Sequence, residues 1–278
     1  MRVWISVDLE GIAGIGHPAP TKRGDPSYPD AVGLMVGEAN AAIAGAVAGG
    51  ADAIVINDSH DRMDNLTSAA LDPAATVIKG QKAWSMVAGA DPAAGLGPFD
   101  VALFVGYHAR AGHPTGTLAH TYSFRPTRTA LDGRETGEYG FNAAILGAWG
   151  IPVGLVTGDD ALSDEVETWL PWAERVIVKR AMGGNASAST HPERARDLIA
   201  AASERAVRRA AAGDLRPLVI EPPVVIEVDF ARAAQADYAA TPPFAERAGA
   251  RGVRIEATDT VTAYRAFLAG IRLASLVE

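Results

Sequence analysis

The chain has 278 residues, of which 48% are hydrophobic and 21% are charged, a composition typical of a globular protein and not of a disordered one. Its 25 basic and 33 acidic residues give a net charge of −8, which disfavours binding to a nucleic-acid backbone because like charges repel. The chain contains no cysteine, so disulfides and cysteine nucleophiles are excluded, and any metal must be bound by nitrogen and oxygen ligands.

Short apolar runs separated by helix-length segments predict the buried strands of a parallel sheet. These runs are residues 3–7, 53–56, 101–105, 153–157 and 176–178. Helices are predicted over residues 28–50, 140–149 and 160–169, and Asp132 with Gly133 predicts a tight hairpin turn. The alternation of strands with helices predicts an α/β fold with a mostly parallel, doubly wound sheet.

The pattern changes near residue 190, where the predicted parallel strands end. The elements predicted after it are a helix over 192–212, strands over 224–230 and 252–257, and a helix over 259–276. We therefore predict two domains, an α/β domain over residues 1–190 and a smaller C-terminal α+β lobe over residues 191–278.

The apolar runs also bear on location. The first run, residues 3–7, is too short for the core of a signal peptide. The longest weakly apolar stretch, residues 39–51, is shorter than the roughly 20 residues that a membrane span needs. We therefore expect a cytoplasmic protein that does not interact with a membrane.

Polar residues follow three of the predicted strands at their carboxyl ends. Asp8 and Glu10 follow the first strand, Asp58 and His60 follow the second, and His108 follows the third. Because the carboxyl ends of parallel strands form the ligand crevice of such sheets, we expect these five side chains to converge. Carboxylates and imidazoles without cysteine suit a divalent ion such as zinc, manganese or cobalt.

Each of these residues also has an ordinary structural explanation. An aspartate after a strand commonly caps a turn or a helix, and a single histidine is often a hydrogen-bonded core residue. Glu138 begins a predicted helix, where the helix dipole favours an acidic residue, although it could equally reach the crevice. His113 and His120 lie in a polar loop that could carry catalytic groups, or they could be surface histidines. The convergence of several strands on one region is what favours a metal or acid–base site.

The chain resembles the zinc-dependent D-aminopeptidase family of the dipeptide-operon (DppA) type in a series of motifs that span most of its first 180 residues. In order, the motifs are residues 6–11, 57–60, 106–109, 120, 137–138 with 142–143, and 157–160. The resemblance implies an enzyme that hydrolyses short peptides carrying an N-terminal D-amino acid. It also implies a homo-oligomer, a decameric ring whose active sites face an internal chamber.

The resemblance further implies a site of two zinc ions per chain, which manganese or cobalt could replace. Its implied ligands are Asp8 as a bridging carboxylate, Glu10, His60, His108 and Glu138. The implied catalytic histidine is His120. In such a site a metal-activated water attacks the scissile carbonyl, and a histidine with an ordinary pKa of roughly 6.5 can protonate the departing amine.

Two other functions remain open from the sequence. The first is another di-metal amidase or hydrolase that acts on small molecules. A phosphoesterase is disfavoured because neither basic residues nor a glycine-rich anion cradle follows the first three strands. The second is a non-catalytic protein that binds a metal or a peptide. Such a protein would need no proton donor, so His120 is the residue that separates the two possibilities.

Overall fold

Two β-sheets organise the chain in the computed structural model, which describes residues 1–277. The strands are β1 (Arg2–Val7), β2 (Ala53–Asp58), β3 (Ala75–Ile78), β4 (Val101–Val105), β5 (Pro126–Leu131), β6 (Arg134–Glu135), β7 (Val153–Asp159), β8 (Glu174–Gly183), β9 (Ala186–Ser189), β10 (Val224–Phe230), β11 (Ala245–Ala248) and β12 (Gly252–Ala257). The helices are α1 (Tyr28–Ala48), α2 (Glu138–Ala148), α3 (Asp160–Trp169), α4 (Pro192–Ala211), α5 (Ala233–Ala239) and α6 (Thr260–Ala274).

The larger sheet has the strand order β3-β2-β1-β4-β7-β8-β9, and all its neighbours are parallel except β8 and β9. Successive side chains of β1 point to opposite faces of the sheet, as the period of two requires. Val3 and Ile5 belong to the core beneath α1 and α4, whereas Trp4 belongs to the opposite core with Phe141 of α2. Helices therefore cover both faces, which confirms the predicted α/β, doubly wound fold.

The smaller sheet is antiparallel, with the order β11-β12-β10-β5-β6. Its inner face packs against α5 and α6, and the rings of Phe141 and Phe267 meet at a centroid distance of 4.5 Å between the two layers. The hairpin between β5 and β6 turns at Asp132 and Gly133, with φ of 48° and 74°. Both residues are in the left-handed conformation, as the Asp-Gly pair predicts.

Two elements do not pack with the domain to which the predicted boundary at residue 190 assigns them. Helix α4 follows residue 190 but packs against α1, and Ser203 Oγ donates to the Ala42 carbonyl at 2.7 Å. Conversely, β5 precedes residue 190 and pairs with β10. Each sheet layer thus includes an element from the other side of residue 190 in the sequence. The division into two domains at residue 190 stays a prediction.

Helix α1 has 21 residues and is apolar enough, by length and composition alone, to cross a membrane. More than half of its most apolar window is buried inside the fold, against the larger sheet and α4. This apolar helix is longer than the apolar stretch over residues 39–51 that the sequence pattern indicates. Its burial is typical of the core helix of a globular protein.

Four short elements are not predicted from the sequence. They are β3, β9, β11 and α5, which have four to seven residues each. The three strands lie at sheet edges, where one side has no neighbouring strand and the alternation of apolar and polar residues is weak.

Candidate functional site

The pairing of β1 with both of its neighbours places the candidate site. Val7, the last residue of β1, is opposite Asp58 of β2 and Val105 of β4. The segments that leave these three strand ends are therefore side by side. They carry the predicted site residues Asp8, Glu10, His60 and His108, all of them buried, and Glu138 at the start of α2 joins them.

Two glycines allow these segments to approach closely. A Cβ atom on Gly11 would lie 1.8 Å from the Tyr107 carbonyl oxygen, and one on Gly106 would lie 2.4 Å from the Asp8 carbonyl oxygen. Gly106 also has a φ of 71°, which an L side chain rarely adopts. These contacts bring the segment after β1 against the segment after β4, and so bring Asp8 against His108.

Asp8 lies between two histidines. Its Oδ1 atom is 3.3 Å from His60 Nδ1, and its Oδ2 atom is 3.4 Å from His108 Nε2. Burial alone would raise the pKa of Asp8, but hydrogen bonds with His108 and His60 hold that pKa below its usual range. An ionised carboxylate with one oxygen directed at each histidine is the geometry that a bridging metal ligand requires.

Hydrogen bonds to the backbone orient both histidines. His60 Nε2–H donates to the Thr21 carbonyl at 2.8 Å, which leaves Nδ1 at 2.9 Å from Glu10 Oε2. His108 Nδ1–H donates to the Ala109 carbonyl at 3.0 Å, which leaves Nε2 at 3.5 Å from Glu138 Oε2. Metal-binding histidines are usually held in this way, with one ring nitrogen bonded to a carbonyl and the other left for the metal.

The same contacts fit a cation between these groups. Glu10 Oε2 and His108 Nε2 are buried and have no hydrogen-bond partner among residues 1–277. Burial lowers the pKa of His60, but Glu10 and Asp8 more than offset it and raise that pKa well above its ordinary value. A proton or a metal ion would satisfy this demand for positive charge. The donor atoms of Asp8, Glu10 and His108 lie within 4.8 Å of one another, so the residues fit a divalent metal.

His120 lies beside this cluster. Its ring stacks between those of His108 and Phe124, with centroid distances of 3.9 and 4.3 Å. Nδ1–H donates to the Leu118 carbonyl at 2.8 Å, and Nε2 is 3.8 Å from Glu138 Oε1. Burial, and then the neighbouring His108, hold the pKa of His120 below its ordinary value. Nε2 of His120 is thus the ring nitrogen left free beside the cluster, and His120 also belongs with His108 and Glu138 to a group that could hold a metal ion.

A cavity of about 560 Å³ opens above the cluster, and we call it the site cavity. Asp8, Glu10, His60, His120 and Glu138 contribute to its lining. Its remaining lining residues include four cations, which are Lys22, Arg23, Arg62 and Arg125. The cavity thus places carboxylates and imidazoles on one side of a space large enough for a small peptide, and basic side chains elsewhere on its wall.

Three polar residues noted in the sequence have local structural functions instead. Asp58 accepts hydrogen bonds from the backbone N–H groups of residues 65 and 66, at 2.5 and 2.7 Å, and holds that loop. Asp159 caps α3 by accepting from Leu162 N at 2.9 Å. His113 Nδ1 accepts from Gly116 N at 3.0 Å and stabilises a turn. The Asp58 carboxylate is therefore bonded within its own loop, whereas the other four predicted strand-end residues contact one another.

Two buried residues that support the site are not apparent from the sequence. Lys179, at the carboxyl end of the parallel part of β8, donates to the carbonyls of Glu10, Ile12 (3.4 Å) and Ile15 (2.6 Å). Glu38 of α1 accepts from Ala13 N at 2.8 Å. Together they hold the segment that carries Glu10. A lysine that ends an apolar strand, and a single acid in the apolar face of an Ala-rich helix, are the signals that could have identified them.

A hydrogen-bonded network extends from the site into the smaller sheet layer. Asn142 of α2 donates to Tyr107 OH at 3.1 Å and accepts from Tyr122 OH at 2.6 Å and from Tyr264 OH at 2.9 Å. Ser6 and Tyr107 bond through their hydroxyls at 2.7 Å. Ser6 and Tyr107, which lie close in sequence to Asp8 and His108, are thus connected to Tyr264 of α6.

Comparisons with known proteins agree with this geometry. The family model of peptidase family M55, described as D-aminopeptidase, matches residues 1–269. A D-aminopeptidase of Bacillus subtilis (strain 168) is 34% identical over 276 residues, which cover 99% of this chain and 98% of that protein. The solved structure of the Zn-dependent D-aminopeptidase DppA from Bacillus subtilis, a self-compartmentalizing protease, matches with a TM-score of 0.91 at 33% identity, over 100% of this chain and 99% of that one. The chain therefore belongs to the D-aminopeptidase family, peptidase family M55, and is an enzyme of the metallo-aminopeptidase class.

Proposed function

We propose that this protein is a metal-dependent aminopeptidase that hydrolyses short peptides with an N-terminal D-amino acid. The observation that carries the proposal is the cluster in which Asp8 lies between two histidines, His60 and His108, whose free ring nitrogens face carboxylates. The cluster lies at the base of a cavity of about 560 Å³. Such a cluster in such a cavity is suited to a hydrolytic reaction on a small substrate.

Two sets of ligands overlap at Asp8. Asp8, Glu10 and His60 would hold one zinc ion, and Asp8, His108 and Glu138 would hold the other. This arrangement would hold two zinc ions per chain, which manganese or cobalt could replace, and it is supported by the zinc dependence named for the Bacillus subtilis relative. Bound ions of this kind lower the pKa of water to about 7 and polarise a substrate carbonyl.

The assignment of His120 as the catalytic histidine follows from its position on the cavity wall, next to the cluster. In this role His120 would accept the proton that the attacking water loses, and would then deliver this proton from Nε2 to the departing amine. The bond from Nδ1–H to the Leu118 carbonyl keeps Nε2 as the nitrogen that exchanges the proton.

The specificity for an N-terminal D-residue is supported by the family and by the names of its relatives. A free amino terminus carries a positive charge and suits the carboxylates of the cluster. Selection of the D-configuration requires that the side chain of an L-residue collide with the cavity wall, because a repulsive contact is an effective means of discrimination.

We also propose that the protein acts in the cytoplasm as a homo-oligomer, a decamer. The Bacillus subtilis relative is described as self-compartmentalizing, which is compatible with a closed assembly. An enclosed active site would exclude folded proteins and admit short peptides. Light scattering that gives the mass of a single 28.9 kDa chain at micromolar concentration would contradict this part of the proposal.

The central experiment compares kcat/KM of the zinc-loaded protein for D-Ala-D-Ala, L-Ala-L-Ala and N-acetyl-D-Ala-D-Ala, each with and without a chelator. We expect hydrolysis of D-Ala-D-Ala alone, and its loss with the chelator. Equal rates for the first two peptides would remove the claim of D-specificity. Cleavage of the acetylated peptide would indicate a metallo-amidase instead of an aminopeptidase.

A further inference from the structure

A second cavity of about 680 Å³ adjoins the site cavity. Its volume is in the range of roughly 300–1,000 Å³ that is usual for ligand-binding sites. Met63, Leu268 and Ile271 are buried and form an apolar part of its lining. We call it the distal cavity, because it extends from the site towards the end of α6.

The two cavities share part of their lining. Asp61, Met63, Ser85 and Tyr122 line both of them. A dipeptide has only one residue after the bond that an aminopeptidase cleaves, whereas each further residue extends a peptide by about 3.3–3.6 Å. A longer peptide bound at the site would therefore continue past these shared residues into the distal cavity.

Two cations in the distal cavity are held by backbone carbonyls. Lys82 Nζ donates to the Asp58 carbonyl at 2.6 Å, and Arg272 Nη2 donates to the Lys82 carbonyl at 2.8 Å. Within residues 1–277 neither side chain forms a salt bridge, so both keep donors for another partner. Asp61 also lines the cavity, so Lys82 and Arg272 leave a local positive excess of one charge, which favours an anionic ligand in a chain with a net charge of −8.

We propose that the distal cavity binds the C-terminal part of peptides of three or more residues, and that Lys82 and Arg272 hold the terminal carboxylate. This inference rests on the proposed aminopeptidase activity. A carboxylate is the anion that every unmodified peptide carries at the end opposite to the cleaved residue. Charge-assisted bonds from a lysine and an arginine are the strong interactions available to it. The apolar lining would contact the side chains of the residues that precede the carboxylate.

The test uses three substrates of the zinc-loaded, full-length protein. They are D-Ala-Gly-Gly-Gly, the same peptide with a C-terminal amide, and D-alaninamide, which has no peptide tail. The readout is the ratio of kcat/KM for the free acid to kcat/KM for its amide. We expect this ratio to be about tenfold in the wild type, because one charge-assisted hydrogen bond contributes an energy of that order.

The variant Arg272→Glu reverses the charge in the distal cavity, and we expect it to reverse the preference, so that the ratio falls below one. A loss of folding cannot produce a reversed preference. Lys79→Glu is the matched charge-reversal control, because Lys79 is three residues from Lys82 but pairs with Asp64 at 3.0 Å. The control should keep the wild-type ratio. Lys82→Met should bring the ratio close to one.

Three results would overturn the inference. The first is a wild-type ratio of one, and the second is an Arg272→Glu variant that keeps the wild-type ratio. The third is loss of the preference in Arg62→Gln instead, because Arg62 lines only the site cavity. Failure of the proposed function itself looks different. In that case the zinc-loaded wild type would hydrolyse neither D-alaninamide nor the peptides.

Discussion

The ammonium group of Lys179 donates a hydrogen bond to the backbone carbonyl of Glu10, although the two residues are 169 positions apart in the chain. Lys179 is almost fully buried, and the same group also bonds to the Ile15 carbonyl at 2.6 Å. One buried cation thus replaces water as the partner of several carbonyls in the segment that carries a proposed metal ligand.

We expect Lys179→Met to lower both the thermal midpoint and the zinc content of the desalted protein. Each buried carbonyl left without a donor costs about 1–3 kcal/mol, and the segment with Glu10 is then free to shift. Calorimetry and elemental analysis would measure the two effects. Arg180→Met is the control, since Arg180 is exposed and its ion pair with Asp160 is long, at 3.8 Å. Zinc content equal to that of the wild type would show that Lys179 does not position Glu10.

The bridging position of Asp8 predicts how its variants bind metal. The wild type, loaded to saturation and desalted, should approach two ions per chain. Asp8→Ala should lose both ions, because both ligand sets include Asp8, whereas Glu10→Ala should weaken mainly one. Asp61→Asn, an exposed acid that lines the same cavity, should retain both. Elemental analysis that gives one ion per saturated wild-type chain would contradict the bridged site.

The positions of the two loop histidines predict a large difference between their variants. His120→Ala should lower kcat by about 10²–10⁴, the usual contribution of a positioned acid–base group, with metal content near that of the wild type. His113→Ala should change kcat little, because His113 holds a turn through Gly116 N. Steady-state kinetics with elemental analysis would decide. Loss of metal in His120→Ala would make His120 a ligand, with His108 and Glu138.

Glu38 predicts a pH-dependent contribution to stability. Burial raises the pKa of its carboxyl from its ordinary value of 4.5 to about 7. The folded state therefore binds this proton more tightly than the unfolded state does. The resulting stabilisation is fully present below pH 4.5 and is lost as the pH rises through about 7.

The comparison with Glu38→Gln isolates this effect, because glutamine has a similar shape but does not titrate. Relative to the variant, the wild type should lose up to about 3 kcal/mol of unfolding free energy between pH 4.5 and pH 8. Urea unfolding of both proteins at the two pH values would measure the change. A difference that stays constant with pH, or one that grows in favour of the wild type, would show that Glu38 is ionised in the fold throughout.

Much of the fold and of the candidate site can be predicted from the sequence. The strands β1, β2 and β4 are short apolar runs rich in β-branched residues, and each is followed by polar residues that mark where the strand ends. Because parallel strands place their carboxyl ends at one edge, the polar residues after them could be expected to meet. Asp8, Glu10, His60 and His108 do so. Glu138 and His120 required the family motifs, since a helix start and a polar loop have ordinary explanations.

Only the tertiary structure decided which polar residues are available for chemistry. Asp58 and His60 are two positions apart at the same strand end, yet Asp58 accepts from two backbone N–H groups and from the Asn65 side chain, whereas His60 faces the cluster. Lys179 reaches Glu10 across 169 residues, and helix α4 packs on the larger sheet although it follows the predicted boundary. The physical reason is the same in each case. Secondary structure and strand ends follow from neighbouring residues, whereas the partner of a buried polar group is set by contacts between distant segments.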